Sequence, residues 1–159
     1  MPTIFQTVEF LALSLWLGAD VFLSFVVAPG AFRVLPSRAE AGAIVGYSLW
    51  WVHFLGVSSG IVLLIARLLR GRSFASLGKP AALAVMLMIA LTVVSEHAVS
   101  PKMAALRVQM GAIEATAADS PLLREFRRLH RISVGLEGLV LLTGFTALYF
   151  MVRELTPRT

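Results

Sequence analysis

Cysteine is absent from the 159 residues, which excludes a disulfide framework, thiolate metal ligation and thiol redox chemistry. Charge is scarce as well. Asp, Glu, Lys and Arg make up 14% of the chain against 58% hydrophobic residues, with a mean hydropathy of +0.83. That is too little polar surface to coat a water-soluble globule of this size, so lipid must cover part of it. No Walker loop, nucleophile elbow or HExxH motif is present, and no internal repeat or low-complexity tract. Soluble-enzyme chemistry has no foothold, and no catalytic residue is identified. The net charge of +5 would suggest nucleic acid in a soluble protein. Here the Arg and Lys residues fill the gaps between apolar runs, as topology determinants do, so the expected partner is the lipid bilayer and not nucleic acid.

What is present is long apolar runs. The fold class is all-α: a polytopic membrane protein, residues 1–159 forming one four-helix transmembrane bundle, with spans at about 5–28, 42–67, 80–99 and 130–152. The first run lacks a basic leader and a small-residue cleavage site, so it reads as a retained helix that stops at Pro29-Gly30. The second opens on the capping box Ser37-Arg38-Ala39-Glu40 and runs to Leu69. The third starts with Lys79-Pro80, proline being harmless at the first helical position, and ends before the turn at Ser100-Pro101. The fourth follows Asp119-Ser120-Pro121 and continues unbroken to Met151. Between the third and fourth, residues 101–118 repeat Met103, Leu106, Met110 and Ile113 among charged residues, an amphipathic segment that lies on the bilayer surface or packs on the projecting end of the fourth helix.

The expected location is a bacterial inner membrane. Arg67, Arg70, Arg72, Lys79, Arg153 and Arg158 gather on one face; Arg33, Arg38, Lys102, Arg107, Arg124, Arg127, Arg128 and Arg131 gather on the other. The arginines before the fourth helix argue for termini outside, but the dense charge of the short loop between the second and third helices weighs more, and both termini are expected in the cytoplasm.

A charge in lipid costs roughly 2.5 to 3.5 kcal/mol even on the lenient insertion scale, so each ionisable residue inside a span is a candidate ligand. Asp20, His53 and Glu137 fall ~9 to 14 Å below one surface, with Glu96, His97 and His130 shallower and Glu9 near the opposite face. On the second helix Gly46, His53 and Gly60 form one stripe, joined by the small-residue pairs Gly42/Gly46 and Gly56/Gly60 that let helices approach closely. On the fourth, His130, Glu137 and Gly144 form another, and on the first Asp20 shares a face with Trp16 and Ser24. Glu96 and His97, adjacent and ~100° apart, cannot both face inward. A structural role stands beside each functional one: Asp20 and His53 can pair to hold the bundle, His130 can be solvated at the interface, Met86 and Met88 can be core and not a copper site, and Trp50 and Trp51 can pack in the bundle or stack on a ligand.

The stretch Phe22-Leu23-Ser24-Phe25-Val26-Val27-Ala28-Pro29-Gly30-Ala31-Phe32-Arg33-Val34-Leu35, followed by Ala41-Gly42 and Gly46, resembles the opening of the family typified by transmembrane protein 205, catalogued as domain of unknown function 4149. Val99-Ser100-Pro101-Lys102 with Leu106-Arg107, and Phe126-Arg127-Arg128-Leu129-His130-Arg131-Ile132-Ser133, are similar to its third-helix exit and fourth-helix entry, in the same order. The resemblance implies a four-helix membrane protein whose eukaryotic relatives are linked to platinum-drug and metal resistance. It also implies that Glu137 stands where the family has an asparagine. The plan is more remotely similar to the copper-resistance D-type proteins and the bacterial haem-containing protoporphyrinogen oxidase.

Three functions fit these residues. The first is a small binding or transport protein that engages a metal cation or cationic solute through Asp20, His53, Glu137, His130, Glu96 and His97. The second is a haem-binding redox protein with two of the three histidines as axial ligands, which the unequal depths oppose. The third is an accessory subunit or homo-oligomer whose small-residue faces bind partner helices.

Overall fold

In a computed structural model, which describes residues 2–111, 116–117 and 119–156, four helices are long and apolar enough to cross a membrane: Thr3–Val34, Arg38–Gly71, Pro80–Met110 and Pro121–Arg153. The chain is a membrane protein. Among the described residues there is no strand. At ~1.5 Å per residue each helix is roughly 47 to 51 Å long, more than the ~30 Å hydrocarbon core, so their polar ends project.

Two helices run past the expected stops, and for the same reason. Proline lacks an N–H and its ring collides with the carbonyl four residues earlier, which ordinarily ends a helix. Here a π turn precedes each proline. Leu23–Val27 carries the first helix from its Pro2–Phe22 part into Ala28–Val34, and Ser95–Val99 carries the third from Pro80–Val94 into Ser100–Met110. In each case the residue before the proline donates to the carbonyl five residues back, Ala28 to Leu23 and Ser100 to Ser95. The widened turn takes the carbonyl that would clash out of the ring's way. Pro29 and Pro101 are therefore accommodated inside helices and not at turns. The first helix ends instead at the extended Leu35, before Pro36.

The amphipathic stretch beginning at residue 101 is thus, through Met110, the continuation of the third helix. It packs on the projecting part of the fourth, where Val99, Met103 and Leu129 form a small core with Leu106, Phe126 and Leu136 against it. Ile113 and Glu114, also assigned to that stretch, lie outside the described residues, as does Arg158.

The second helix starts as the capping motif requires: Ser37 Oγ accepts the Glu40 N–H at 3.1 Å. It ends on Arg72 with φ 48°, whose N–H returns to the Leu68 carbonyl. A short 3₁₀ turn, Phe74–Gly78, then leads to Pro80.

The first helix lies on the second and the third on the fourth, with the pairs joined through a core of Leu13, Trp16, Leu17, Leu63, Met88 and Val140. Trp16, 1% exposed, lays its indole across Gly56 and Gly60. A Cβ on Gly56 would collide with the indole, and one on Gly60 would meet it at 2.7 Å. The pair Gly42/Gly46 serves a different purpose, since the nearest atoms to a Cβ there belong to the Arg107 guanidinium at 3.3 and 3.2 Å.

Candidate functional site

His53 is held between two carboxyl groups from two other helices. Its Nδ1 lies 2.8 Å from Glu96 Oε2 and its Nε2 lies 2.7 Å from Glu137 Oε1. Ser95 Oγ donates to the same Glu137 oxygen at 3.4 Å. Asp20, 3% exposed, is near enough to His53 and Glu137 to interact electrostatically, and its Oδ2 has no hydrogen-bond partner. Asp20, His53, Glu96 and Glu137 all sit near the middle of their own helices, about 14 to 18 residues or ~21 to 27 Å from either end.

Local structure explains this meeting. Because the third helix continues past Pro101, Glu96 lies at mid-helix and not at a helix end, level with His53 and Glu137. The π turn that accommodates Pro101 contains Glu96, so the same irregularity keeps the helix intact and sets the direction of the carboxylate. The π turn in the first helix begins three residues after Asp20 and changes the face that follows, so that Leu23 is buried and Ser24, expected to share a face with Asp20, is exposed.

His97 and His130 stay outside the cluster. His97 points outward, exposed, with Nδ1 3.1 Å from the Val93 carbonyl of its own helix. His130 is exposed and stacks parallel on Phe126, whose ring also carries the Arg107 guanidinium at 5.4 Å. Among the described residues no group of three or more His, Cys, Asp or Glu side chains is arranged to hold a metal ion. Both ring nitrogens of His53 are engaged by carboxyl groups.

The proton count of the triad does not depend on which group carries the charge. Two short contacts between nitrogen and oxygen need two hydrogens. Either the imidazolium donates to two carboxylates, or a neutral imidazole donates to one while the other carboxyl donates to it. With no further proton both arrangements leave one net negative charge on His53, Glu96 and Glu137; a third proton, on the outer oxygen of either Glu, neutralises the triad.

A second buried cluster lies towards the opposite end of the bundle, and sequence reasoning missed it. Glu9 and Arg67 are each 1% exposed at the side chain. Arg67 Nε donates to Glu9 Oε2 at 3.0 Å, and its two terminal nitrogens fork onto Glu154 at 3.0 and 3.1 Å. Arg70 grips Glu9 with Nε at 2.6 Å and a terminal nitrogen at 3.1 Å. Two guanidinium groups face two carboxylates, so this cluster is balanced. The readable signal was spacing: Gly56, Gly60, Leu63 and Arg67 share one buried face, so Arg67 belongs to the bundle interior as well as to the positive charge of its membrane face.

A cleft of about 490 Å³ opens between the second and third helices. His53 and Glu96 form its inner end; Trp50, Phe54, Val57 and Val93 are among its walls.

The model of the domain of unknown function DUF4149 matches residues 11–112. The chain belongs to the DUF4149 family. The match spans the first three helices and so includes Asp20, His53 and Glu96 of this DUF4149 protein, while Glu137 lies beyond it. No curated protein and no solved structure matches the chain.

Proposed function

We propose that this DUF4149 protein binds, and moves across or within the membrane, a cationic solute that takes the place of a proton at Asp20, His53, Glu96 and Glu137. The observation that carries the reading is the excess of acids: three carboxyl groups gather at one imidazole. A bundle that needed only a polar clamp has one in the neutral Glu9–Arg67–Arg70–Glu154 network. The His53 triad sets two carboxyl groups against one imidazole, beside an Asp20 oxygen with no partner. An uncompensated buried charge costs several kcal/mol, so the site favours a further proton or a bound cation. The expected place among transmembrane protein 205-like relatives, in a bacterial inner membrane, is part of the same proposal.

The test is proton release. Protein in lipid nanodiscs, in weakly buffered solution with a pH-sensitive dye, is titrated with alkali cations, divalent metals and organic ammonium or phosphonium salts. At least one class releases up to one proton per cation bound, and folded His53→Ala and Glu137→Gln variants lose that release. If no class displaces a proton from folded wild-type protein, or if both variants behave as wild type, the reading is wrong.

A further inference from the structure

Resting on that reading, we infer the class of the cation: a lipophilic organic monocation that enters sideways from the bilayer through the cleft between the second and third helices. Four features of the cleft converge on this chemistry.

The first is which carboxylate the cleft reaches. Glu96 is 27% exposed and lines the cleft, whereas its partner His53 is 4% exposed and closes the inner end. One oxygen of Glu96 is committed to His53. A visiting ion therefore meets a single carboxylate and not a ring of ligands. A compact metal ion gives up its hydration only for several oxygen or nitrogen donors; besides Glu96 the cleft is lined by Thr92, 2% exposed, and His97, and no group of three or more His, Cys, Asp or Glu among the described residues is arranged to hold one. A bulky cation with diffuse charge needs only one counter-charge.

The second is the wall. Trp50 and Phe54, one turn apart on the second helix, present rings 6.0 Å apart and within 9° of parallel. Both are about half exposed, at the same level along the helix as His53. Aromatic faces attract cations most strongly where water is excluded, and Val57 and Val93 add hydrocarbon for apolar substituents. The third is size, since about 490 Å³ lies within the range of sites that enclose drug-sized ligands. The fourth is position. Trp50, Phe54 and Val93, exposed apolar side chains of membrane-spanning helices, are at the mouth, a lining that favours solutes that dissolve in the bilayer. The single carboxylate that lines the cleft, Glu96, matches a monocation.

The probe is tetraphenylphosphonium, compared with tetraphenylborate, an anion of the same shape, and with Zn²⁺, each titrated into wild-type protein in nanodiscs. Tetraphenylphosphonium is expected to bind at one site per chain, with tetraphenylborate not competing. Glu96→Gln and Trp50→Ala should each raise its Kd at least tenfold while the proteins elute and melt as folded species. Trp50 faces outward, so its variant keeps the test decisive if Glu96→Gln fails to fold. Tetraphenylphosphonium uptake that survives both substitutions, or that tetraphenylborate matches, is partition into lipid and overturns the inference. Zn²⁺ binding that depends on His53, with no tetraphenylphosphonium site, overturns the inference and leaves cation binding at the cluster standing. No binding of either probe that depends on the cluster overturns both.

Discussion

Arg67 and Asp20 are both ionisable side chains buried in membrane-spanning helices, yet they are placed in opposite ways. Arg67 spends its guanidinium donors on Glu9 and Glu154. Replacing it with methionine keeps much of the volume but leaves Glu9 with a single cation, Arg70, and removes the fork on Glu154. Breaking a buried pair from one side costs about 3 to 5 kcal/mol, so Arg67→Met should lower unfolding free energy in mild detergent by that order. Asp20 Oδ2 has no partner to lose. Asp20→Asn should leave stability within about 0.5 kcal/mol of wild type or raise it, while weakening cation binding. A loss from Asp20→Asn as large as that from Arg67→Met would mean that Asp20 is a structural clamp and would count against its place in the site.

At the scale of elements, the same glycine spacing serves two purposes. Gly56 and Gly60 admit the Trp16 indole, a rigid ring packed between helices; Gly42 and Gly46 lie under the Arg107 guanidinium, the far end of a flexible chain. Overfilling a tight contact costs about 1 to 3 kcal/mol, so Gly56→Ala should be destabilising by that amount in an SDS-unfolding titration, and Gly42→Ala by less than about 0.5 kcal/mol. Equal effects would show that close helix approach, and not the neighbouring side chain, governs both pairs. The π turns matter in the same way. Each begins six residues before its proline, at Leu23 before Pro29 and at Ser95 before Pro101, and each lies within or beside the acid–histidine cluster. The cost of keeping proline in a helix is thereby borne where an irregular backbone also aims a functional side chain.

For the whole molecule, the two polar clusters divide the bundle along its length. The neutral network ties the first helix, the end of the second and Glu154 just past the fourth together towards one end of the bundle, and the acid–histidine cluster lies near the middle of the helices beside a cleft in the wall. Entry from lipid and entry from water therefore predict different reactivity at the mouth. Because the chain has no cysteine, single cysteines report access without background. Val93→Cys, in the cleft wall, should react with a lipid-soluble maleimide and resist a charged one, whereas Phe74→Cys, in the exposed turn after the second helix, should react with both. Reaction of Val93→Cys with the charged reagent would indicate a water-filled entry in place of a lateral one.

Composition and hydropathy alone determined that this is a four-helix membrane protein, because apolar runs of this length have no stable alternative to helices in lipid. Caps and first-turn prolines also placed the starts of the second, third and fourth helices, since those signals act within a few residues. The intramembrane residues Asp20, His53, Glu96 and Glu137 stood out by their cost in lipid, but their grouping did not. Whether Pro29 and Pro101 end a helix or are absorbed depends on whether packing on neighbouring helices repays a widened turn, which local sequence does not record. That choice kept Glu96 inside a continuous helix, level with His53 and Glu137. Likewise Glu9 and Arg67 are 58 positions apart in the chain, and their pairing follows from the contact of the first two helices. Helix identity is a local property of the chain. Charge balance within each buried cluster was decided by the tertiary structure, because it depends on which distant side chains packing brings within hydrogen-bond reach.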